Sequence, residues 1–388
     1  MAIKILSVDD EQDLESLLTQ YFRRKIRKGE YVFSFAHNGL EALKMILEHP
    51  DFDIILSDIN MPEMDGLTLL TKINEMRNPA MKCIMVSAYG DMDNIRTAMN
   101  HGAFDFAMKP IDMEDLERTI QKAVEQISFI KKAQAEHSQL EEIQYDLNVA
   151  REIQHSILPK VFPAFPNCKQ FDIYATMNAA KAVGGDFYDF FMVDEHHLGF
   201  TIADVSDKGI PAAIFMAISR TVIRATALRQ HSPAICLSES NNLLCHESVN
   251  GMFVTVFYAI LNIHTGDVVY SNGGHNRPVW IRKSGATEML PVTGNMALGV
   301  MPGLPYNERT IHLEPGDSLF LYTDGISEAM NPNDELFGDS RLMATCSALS
   351  SASAKVMIGQ VEQKVRAFVD GATQHDDMTM LSLLYKGE

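Results

Sequence analysis

Long apolar runs, paired cysteines and basic clusters are what this 388-residue sequence lacks. Without about 18 consecutive apolar residues, no segment reads as a membrane span. The five cysteines, Cys83, Cys168, Cys236, Cys245 and Cys346, are scattered, and none forms a CxxC pair. Zinc frameworks and disulfide scaffolds are thereby disfavoured, and a reducing cytoplasm fits. Lys and Arg number 33 against 51 Asp and Glu, a net charge of -18. That balance argues against indiscriminate nucleic-acid binding, and no basic face or helix-turn-helix pattern suggests a DNA-binding regulator. The opening MAIKILSVDD passes straight into a strand pattern and has no signal-peptide anatomy.

What is present is an ordinary globular composition, 46% apolar, in a chain long enough for two or three domains. Over roughly the first 120 residues, the runs IKILSV, YVFSFA, DIILSD, KCIMVSA and FDFAMKP alternate with helical patterns at 11–27, 39–48, 65–77 and 91–101. Such alternation predicts a doubly wound parallel α/β sheet, in its small form of order 2-1-3-4-5, with a site at the carboxyl ends of the strands.

From Asp112 to about Leu158 the pattern stays helical, with no internal Pro or Gly. Leu140, Ile143, Leu147 and Ala150 alternate spacings of three and four, and Ile157 continues the register past polar Gln154. Phe129 and Ala133 extend it backwards past Glu136. This imperfect heptad seam predicts a coiled-coil linker and a homodimer, the alternative being an amphipathic helix on its own domain. Pro159 and Pro163 stop it. Beyond it, closely spaced strand runs (FDIYATMN, DFYDFFMV, LGFTIADV, MFVTVFYAIL, DVVYSNGG, PVWIRK, SLFLYTD, MTMLSLLY) enclose helical patterns near 210–230 and 232–249 and precede others near 339–349 and 354–370. Several are separated by turn signals such as His264-Thr265-Gly266-Asp267. The prediction is an α+β layered fold of antiparallel sheets sandwiched by helices. The expected divisions are 1–125, 126–160 and 161–388.

Chemistry gathers at two sets of strand ends. Asp9 and Asp10 follow the first strand, Asp58 ends the third, Ser87 the fourth and Lys109 the fifth. The predicted sheet order brings these ends together. Carboxylates so close repel, and a hard cation with oxygen ligands, such as Mg²⁺, resolves this. Asp58 can then accept a phosphoryl group. With these residues the region resembles a response-regulator receiver domain. The resemblance implies Asp58 as phosphoacceptor, Asp9, Asp10, Asp58 and the Asn60 carbonyl as Mg²⁺ ligands, and Ser87 and Lys109 as phosphate contacts. It also implies Phe106 as the aromatic switch and a sensor histidine kinase or phosphotransfer protein upstream.

In the C-terminal region, Asp186 lies in VGGDFYD, Asp204 in TIADVSDKG, Asp324 in LYTDGISEA and Asp376 in HDDMTML. Four separated carboxylates, with no Cys and a single His (His375) in their motifs, suit two oxygen-loving cations, Mn²⁺ or Mg²⁺, which can acidify a water and aim it at phosphorus. Together with VAREIQHSILP, GGHNRPVWI, MALGV and NPNDELFG, these motifs resemble the SpoIIE-like branch of the metal-dependent (PPM) serine/threonine phosphatases, which includes RsbU-type phosphatases. The resemblance implies catalysis through Asp186, Asp204, Asp324 and Asp376, with Asp204 bridging both metals and the Val205 carbonyl adding a ligand. Asp377 is the less certain ligand. Gly184 and Gly185 would allow close backbone approach. A STAS-domain anti-sigma-factor antagonist is the implied substrate. GGDFYD also resembles the GGDEF signature of diguanylate cyclases, but Phe187 replaces its acid and the other three Asp motifs would go unexplained. A pseudophosphatase that only binds a partner is the alternative, and the intact Asp set weighs against it. His275 reads as a turn or hydrogen-bonding residue, with proton donation the alternative. His375 reads as a loop residue or one that tunes the site. Trp280 reads as an apolar strand residue and the 23 methionines as core filler.

Overall fold

The computed structural model describes residues 2–88, 91–247 and 251–387. The chain divides into two compact units, Met1–Ile143 and Gln144–Glu388.

The first unit alternates strands and helices: β1 Ile3–Val8, α1 Gln12–Tyr21, α2 Arg23–Arg27, β2 Tyr31–Ala36, α3 Gly39–Glu48, β3 Ile54–Asp58, α4 Gly66–Glu75, β4 Lys82–Ala88, α5 Met92–Asn100 and β5 Asp105–Lys109. The sheet is parallel, in the predicted order β2-β1-β3-β4-β5. Helices cover both faces, so its middle strands have no wet side. All five residues of β3 are accordingly buried. Local signals set the helix starts. Asn38 and Asp65 cap α3 and α4 by accepting hydrogen bonds from the N–H groups of Glu41 and Thr68, at 2.8 and 2.7 Å. The helical pattern at 11–27 is broken in the structure at Phe22, which turns inward to stack near Phe33 and Tyr31.

Helix α6 runs from Met113 to Ile157. Near its start Leu116, Ile120, Ala123 and Ile127 are buried in the core of the first unit, and Lys131 pairs with buried Asp53 at 2.5 Å. Farther along, Phe129, Leu140, Ile143, Tyr145 and Ile153 are exposed. The seam residues Leu147 and Ala150 are half-buried. Gln154 departs from the sequence reading. It is no solvated interruption of a seam but a buried side chain, 6% exposed, with both ends of its amide hydrogen-bonded.

The second unit contains two five-stranded antiparallel sheets. One has β7 Phe187–Met192, β8 His197–Val205, β9 Val254–Asn262, β10 Asp267–Gly273 and β13 Arg309–His312, in the order β13-β10-β9-β8-β7. The other has β6 Phe171–Asn178, β11 Val279–Ile281, β12 Thr287–Met289, β14 Ser318–Tyr322 and β15 Met378–Tyr385, in the order β12-β11-β14-β15-β6. Strand β6 alternates buried and half-buried residues, the signature of a strand with one face on the core. Phe171, Ile173, Leu381 and Leu383 of one sheet join Phe200, Ile202 and Tyr258 of the other in one apolar cluster. Helices α7 Ile210–Ala227 and α8 Pro233–Glu247 cover the first sheet. The outermost positions of the expected 232–249 helix fall outside the described residues. The short helix α9 Asp324–Ser327 follows β14, and α10 Gly338–Ala348 and α11 Ala354–Val369 cover the second sheet. The His264–Asp267 turn joins β9 to β10, with Gly266 at φ +80°. The edge strands β12 and β13 and the helix α9 were not expected.

Helix α7 is the one described helix long and apolar enough to cross a membrane by composition. Its surroundings are those of a core helix. Phe215, Met216 and Ile223 are buried against the sheet, and Arg220 and Arg224 both reach the buried carboxylate of Asp189, at 2.9 and 2.8 Å. Removing that carboxylate leaves two inward-facing cations. Because the guanidinium groups are partly solvated, Asp189→Ala is expected to cost about 2–3 kcal/mol, less than the ~3–5 of a wholly buried pair. Urea denaturation of the variant and the wild type measures this, and a loss below about 0.5 kcal/mol would contradict it.

Candidate functional site

Each unit collects acids at strand ends. In the first, Asp9 follows β1 and Asp58 ends β3, and both are buried, while Asp10 is exposed. Oxygens of Asp9, Asp10 and Asp58 all lie within 4.8 Å of one another. Lys109, at the end of β5, places its Nζ 2.8 Å from Asp58, 3.0 Å from Asp9 and 3.0 Å from Glu11. Burial tends to discharge the ammonium, but these three acids outweigh it and raise its pKa. Burial raises the Asp9 carboxyl pKa despite Lys109. The Asp58 Oδ1 accepts the N–H of Ile59 at 2.7 Å. Gly66 packs so tightly on the Asp58 carbonyl that a side chain there would collide with it. Ser87 is fully buried at the end of β4, its hydroxyl 3.5 Å from Asp91. Phe106 is half-buried in β5 against the core, and Asn60 sits in the exposed turn after β3. The oxygen-only donor set suits a hard divalent cation such as Mg²⁺.

In the second unit the two sheets present four acids. Asp186 immediately precedes β7, Asp204 is the penultimate residue of β8, Asp324 opens α9 just beyond β14, and Asp376 lies two residues before β15. Asp186 is 1% exposed. Burial, then the charges of Asp204 and Asp377, hold its pKa far above the ordinary carboxylate range. Burial, then the charge of Asp324, pushes Asp204 up to about 7, although it shares a hydrogen bond with Asp186. Asp324 is raised by burial and then by Asp376. Such a group favours protonation or added positive charge. Among the described residues, Lys208 supplies a cation, at 2.7 Å from Asp376 and 2.9 Å from the His375 carbonyl. Among the described residues, these four acids do not collapse into a cluster with all oxygens within 4.8 Å, as the first-unit trio does. Their wider spread, the raised pKa values of Asp186, Asp204 and Asp324 and their oxygen-only chemistry fit more than one hard cation.

Asp377 has a different job. Its Oδ1 accepts the N–H of Ala180 at 2.8 Å and its Oδ2 that of Gly185 at 2.7 Å. It therefore ties the loop before β7 to the loop before β15. Gly184 presses on this carboxylate, where a methyl group would clash, and Gly185 lies beside the Val205 carbonyl. Thr323 donates to Asp186 at 2.7 Å. Gln154 completes the frame. Its Nε2 donates to the Gly184 carbonyl, and its Oε1 accepts the Gly184 N–H at 3.0 Å. The sequence reading passed over Lys208, Thr323 and this role of Gln154. EIQ beside GGD carries no local signal of their pairing.

His275 is buried and bonds Thr255 at 2.9 Å and Asn272 through its backbone. Burial pushes its pKa down to about 4, so it is neutral near pH 7, as the hydrogen-bonding reading expects. The His375 carbonyl holds Lys208, while its ring side is exposed. Trp280 lies within β11, with the Arg282 guanidinium 3.4 Å from its ring centroid. A separate group, Asp194, His197 and His231, brings ligand atoms within 4.8 Å. Asn262 uses its Oδ1 to accept the N–H groups of His264 and Thr265, which leaves its amide nitrogen facing His197 Nε2 at 3.4 Å. His197 Nδ1 then carries the proton and donates it to Asp194, as in a hydrogen-bonded turn.

Residues 5–121 match the response regulator receiver domain and residues 194–386 match SpoIIE, the stage II sporulation protein E family. The chain joins a receiver domain to a SpoIIE-type, PP2C-like phosphatase domain. It is 32% identical to protein IcfG of Synechocystis sp. over 61% of this chain and 41% of that protein, so it spans less than half of that relative. It is 27% identical to the phosphoserine phosphatase RsbU of Bacillus subtilis over 70% of this chain and 81% of RsbU. The SiaA PP2C domain of Pseudomonas aeruginosa superimposes with a TM-score of 0.57 at 18% identity, over 64% of this chain and 98% of that one, a likeness of fold.

The raised carboxyls set a pH prediction. A folded-state pKa above the unfolded value of 3.8 stabilises the metal-free protein at low pH, and this contribution is lost as pH rises through about 7 for Asp204. Divalent cations compensate only the ionised form. The rise in Tm on adding Mn²⁺ should therefore reach several degrees near pH 8 and be distinctly smaller near pH 5. Comparing the two pH values with and without metal cancels the opposite trend from His275. Equal rises at both, or a full rise in Asp204→Asn, would contradict the assignment.

Proposed function

We propose that this protein is a phosphorylation-controlled response regulator that hydrolyses phosphoserine or phosphothreonine on a protein substrate. The observation that carries this reading is the group of Asp186, Asp204, Asp324 and Asp376 at the meeting edge of two sheets, the first three with raised pKa values, supported by likeness to a phosphoserine phosphatase. Asp204, central to the charge coupling, would touch both cations. Asp186 and the Val205 carbonyl would serve one, and Asp324 and Asp376 the other. Bound Mn²⁺ or Mg²⁺ would supply charge neutralisation and an acidified water for attack on phosphorus. Thr323 would orient Asp186, Asp377 would fix the loop that presents it, and Lys208 would release Asp376 to the incoming cation or meet the phosphate. The substrate we favour is a STAS-domain anti-sigma-factor antagonist, and the setting is the cytoplasm.

In the receiver, Asp58 would accept the phosphoryl group from a sensor histidine kinase or phosphotransfer protein. Asp9, Asp10, Asp58 and the Asn60 carbonyl would hold Mg²⁺, and Lys109 and Ser87 would contact the phosphate. Movement of Ser87 and Phe106 would repack the face next to α6. We assign 1–125 to the receiver, 126–160 to a linker that pairs two copies through residues such as Leu140 and Ile143, and 161–388 to the phosphatase. The Gln154 clamp gives the last turns of α6 a direct hold on the loop bearing Asp186.

Purified protein should hydrolyse p-nitrophenyl phosphate and a phosphoserine STAS protein with Mn²⁺, and excess chelator should abolish both activities. Asp204→Asn should lower turnover by about a hundredfold or more, ~2.7 kcal/mol, with the fold retained by circular dichroism. Full turnover in chelator, or in the folded variant, would refute the reading.

A small phosphodonor plus Mg²⁺ should add one phosphoryl group to the wild type and none to Asp58→Asn, and should raise phosphatase turnover several-fold in the wild type alone. Mass spectrometry and steady-state kinetics measure the two effects. Labelling that persists in the variant would place the acceptor elsewhere.

A further inference from the structure

Next to the phosphatase acids lies a cavity of about 470 Å³. Asp376 and Lys208 stand at its edge, and Met330, Leu336, Val365 and Val369 form apolar walls. That volume is in the range of about 300–1,000 Å³ typical of ligand sites. Several of the polar groups around it are already engaged. Arg366 is paired with Glu362 at 2.7 Å, Lys208 with Asp376 at 2.7 Å, and the Gln374 amide donates to the carbonyls of Asn178 and Asp376. Glu328 adds negative charge to the lining. The cavity therefore offers apolar contact and repels an acidic guest.

Its walls are built rather than incidental. The NPNDELFG segment, which the site left unused, folds into a tight arm. The Asn331 side chain accepts the N–H groups of Asn333 and Glu335, each at 3.0 Å. Phe337 N–H donates to the Ala329 carbonyl at 2.8 Å, and Arg341 donates to the carbonyls of Leu336 and Phe337 at 2.9 and 3.0 Å. This arm holds Leu336, 46% exposed, over the cavity. The opposite wall comes from the end of α11 and the loop after it, where Asp370 and Gly371 turn the chain at positive φ toward Asp376. One loop thus supplies both a cavity wall and a site carboxylate.

We propose that this cavity is a specificity pocket that receives an apolar side chain of the phosphoprotein substrate, close in sequence to its phosphorylated residue. The inference rests on the phosphatase reading. A serine side chain is short, so a phosphorus atom held at the acids brings the substrate backbone past the cavity mouth. An extended chain advances about 3.3 Å per residue, which places side chains within roughly three positions of the phosphoserine in reach.

The test uses the full chain with Mn²⁺ and synthetic phosphoserine peptides that differ only by Leu or Asp at one flanking position, with p-nitrophenyl phosphate as the reference substrate. One position should show kcat/KM higher for Leu by tenfold or more, hydrophobic pockets discriminating by about 10- to 200-fold. Leu336→Asp, at an exposed position that does not threaten folding, should erase that preference, and the near-isosteric Val369→Thr should reduce it. Peptide turnover with no flanking preference, or a preference unchanged in both variants, would overturn the pocket while leaving the phosphatase reading intact. Failure of the wild type on p-nitrophenyl phosphate and on every peptide would overturn the phosphatase reading and this inference with it.

Discussion

Repulsion between carboxylates that the fold forces together is the constraint on which the rest of this phosphatase domain depends. Asp186 and Asp204 sit where two sheets converge, too dry for either to ionise freely. The surrounding structure resists the relaxation that would relieve them. Asp377 ties two loops by accepting the N–H groups of Ala180 and Gly185, and Thr323 fixes an oxygen of Asp186. A side chain at Gly184 would push these loops apart. The acids are thus held in place by neighbours that do not themselves need a cation, and binding energy need not be spent on assembling them.

The receiver meets the same problem with a different answer. Its acids are closer together and faced by Lys109, which lies within 3.0 Å of Asp9, Glu11 and Asp58. Lys109 offsets only part of that charge, so a single ion or a single phosphoryl group changes the pocket's net charge markedly. Among the described residues, the second site has Lys208 paired with Asp376. Its acids are spread more widely, and burial raises Asp186, Asp204 and Asp324, which suits more than one divalent ion. The spacing of the acids, and not the number of built-in cations, separates the two pockets.

Much of this was legible from the residues. The parallel receiver sheet followed from five apolar runs separated by helical patterns, because a parallel sheet needs a crossover after every strand, and its order is the commonest one for a small doubly wound sheet. The four acids that the second unit brings to the edge of its sheets stood out because each stands beside an apolar run with glycine or aspartate at its end. Strands β12 and β13 were not. The first has three residues and the second is largely exposed, so neither carries an apolar signature. Lys208 was hidden for another reason. Its partners Asp376 and the His375 carbonyl lie more than 160 residues away, and only the fold brings them together.

Gln154 shows the limit of pattern reading most clearly. In a heptad register it is a polar fault, and a fault implies a weak seam. In the structure the same amide is buried, and both its donor and its acceptor are satisfied by the backbone of one residue, the carbonyl and N–H of Gly184. Few side chains other than a carboxamide could do this at that reach: a carboxylate lacks the donor and a lysine lacks the acceptor. Rotating the end of the helix would break both bonds at once and leave polar groups buried without partners, a cost of about 1–3 kcal/mol for each group. Two residues past Gly184 lies Asp186, the most deeply buried of the four acids. The helix end and the acid are therefore linked by a bidentate contact with two sharply different states, made or broken. A displacement of that helix end therefore reaches the loop bearing Asp186 through this contact.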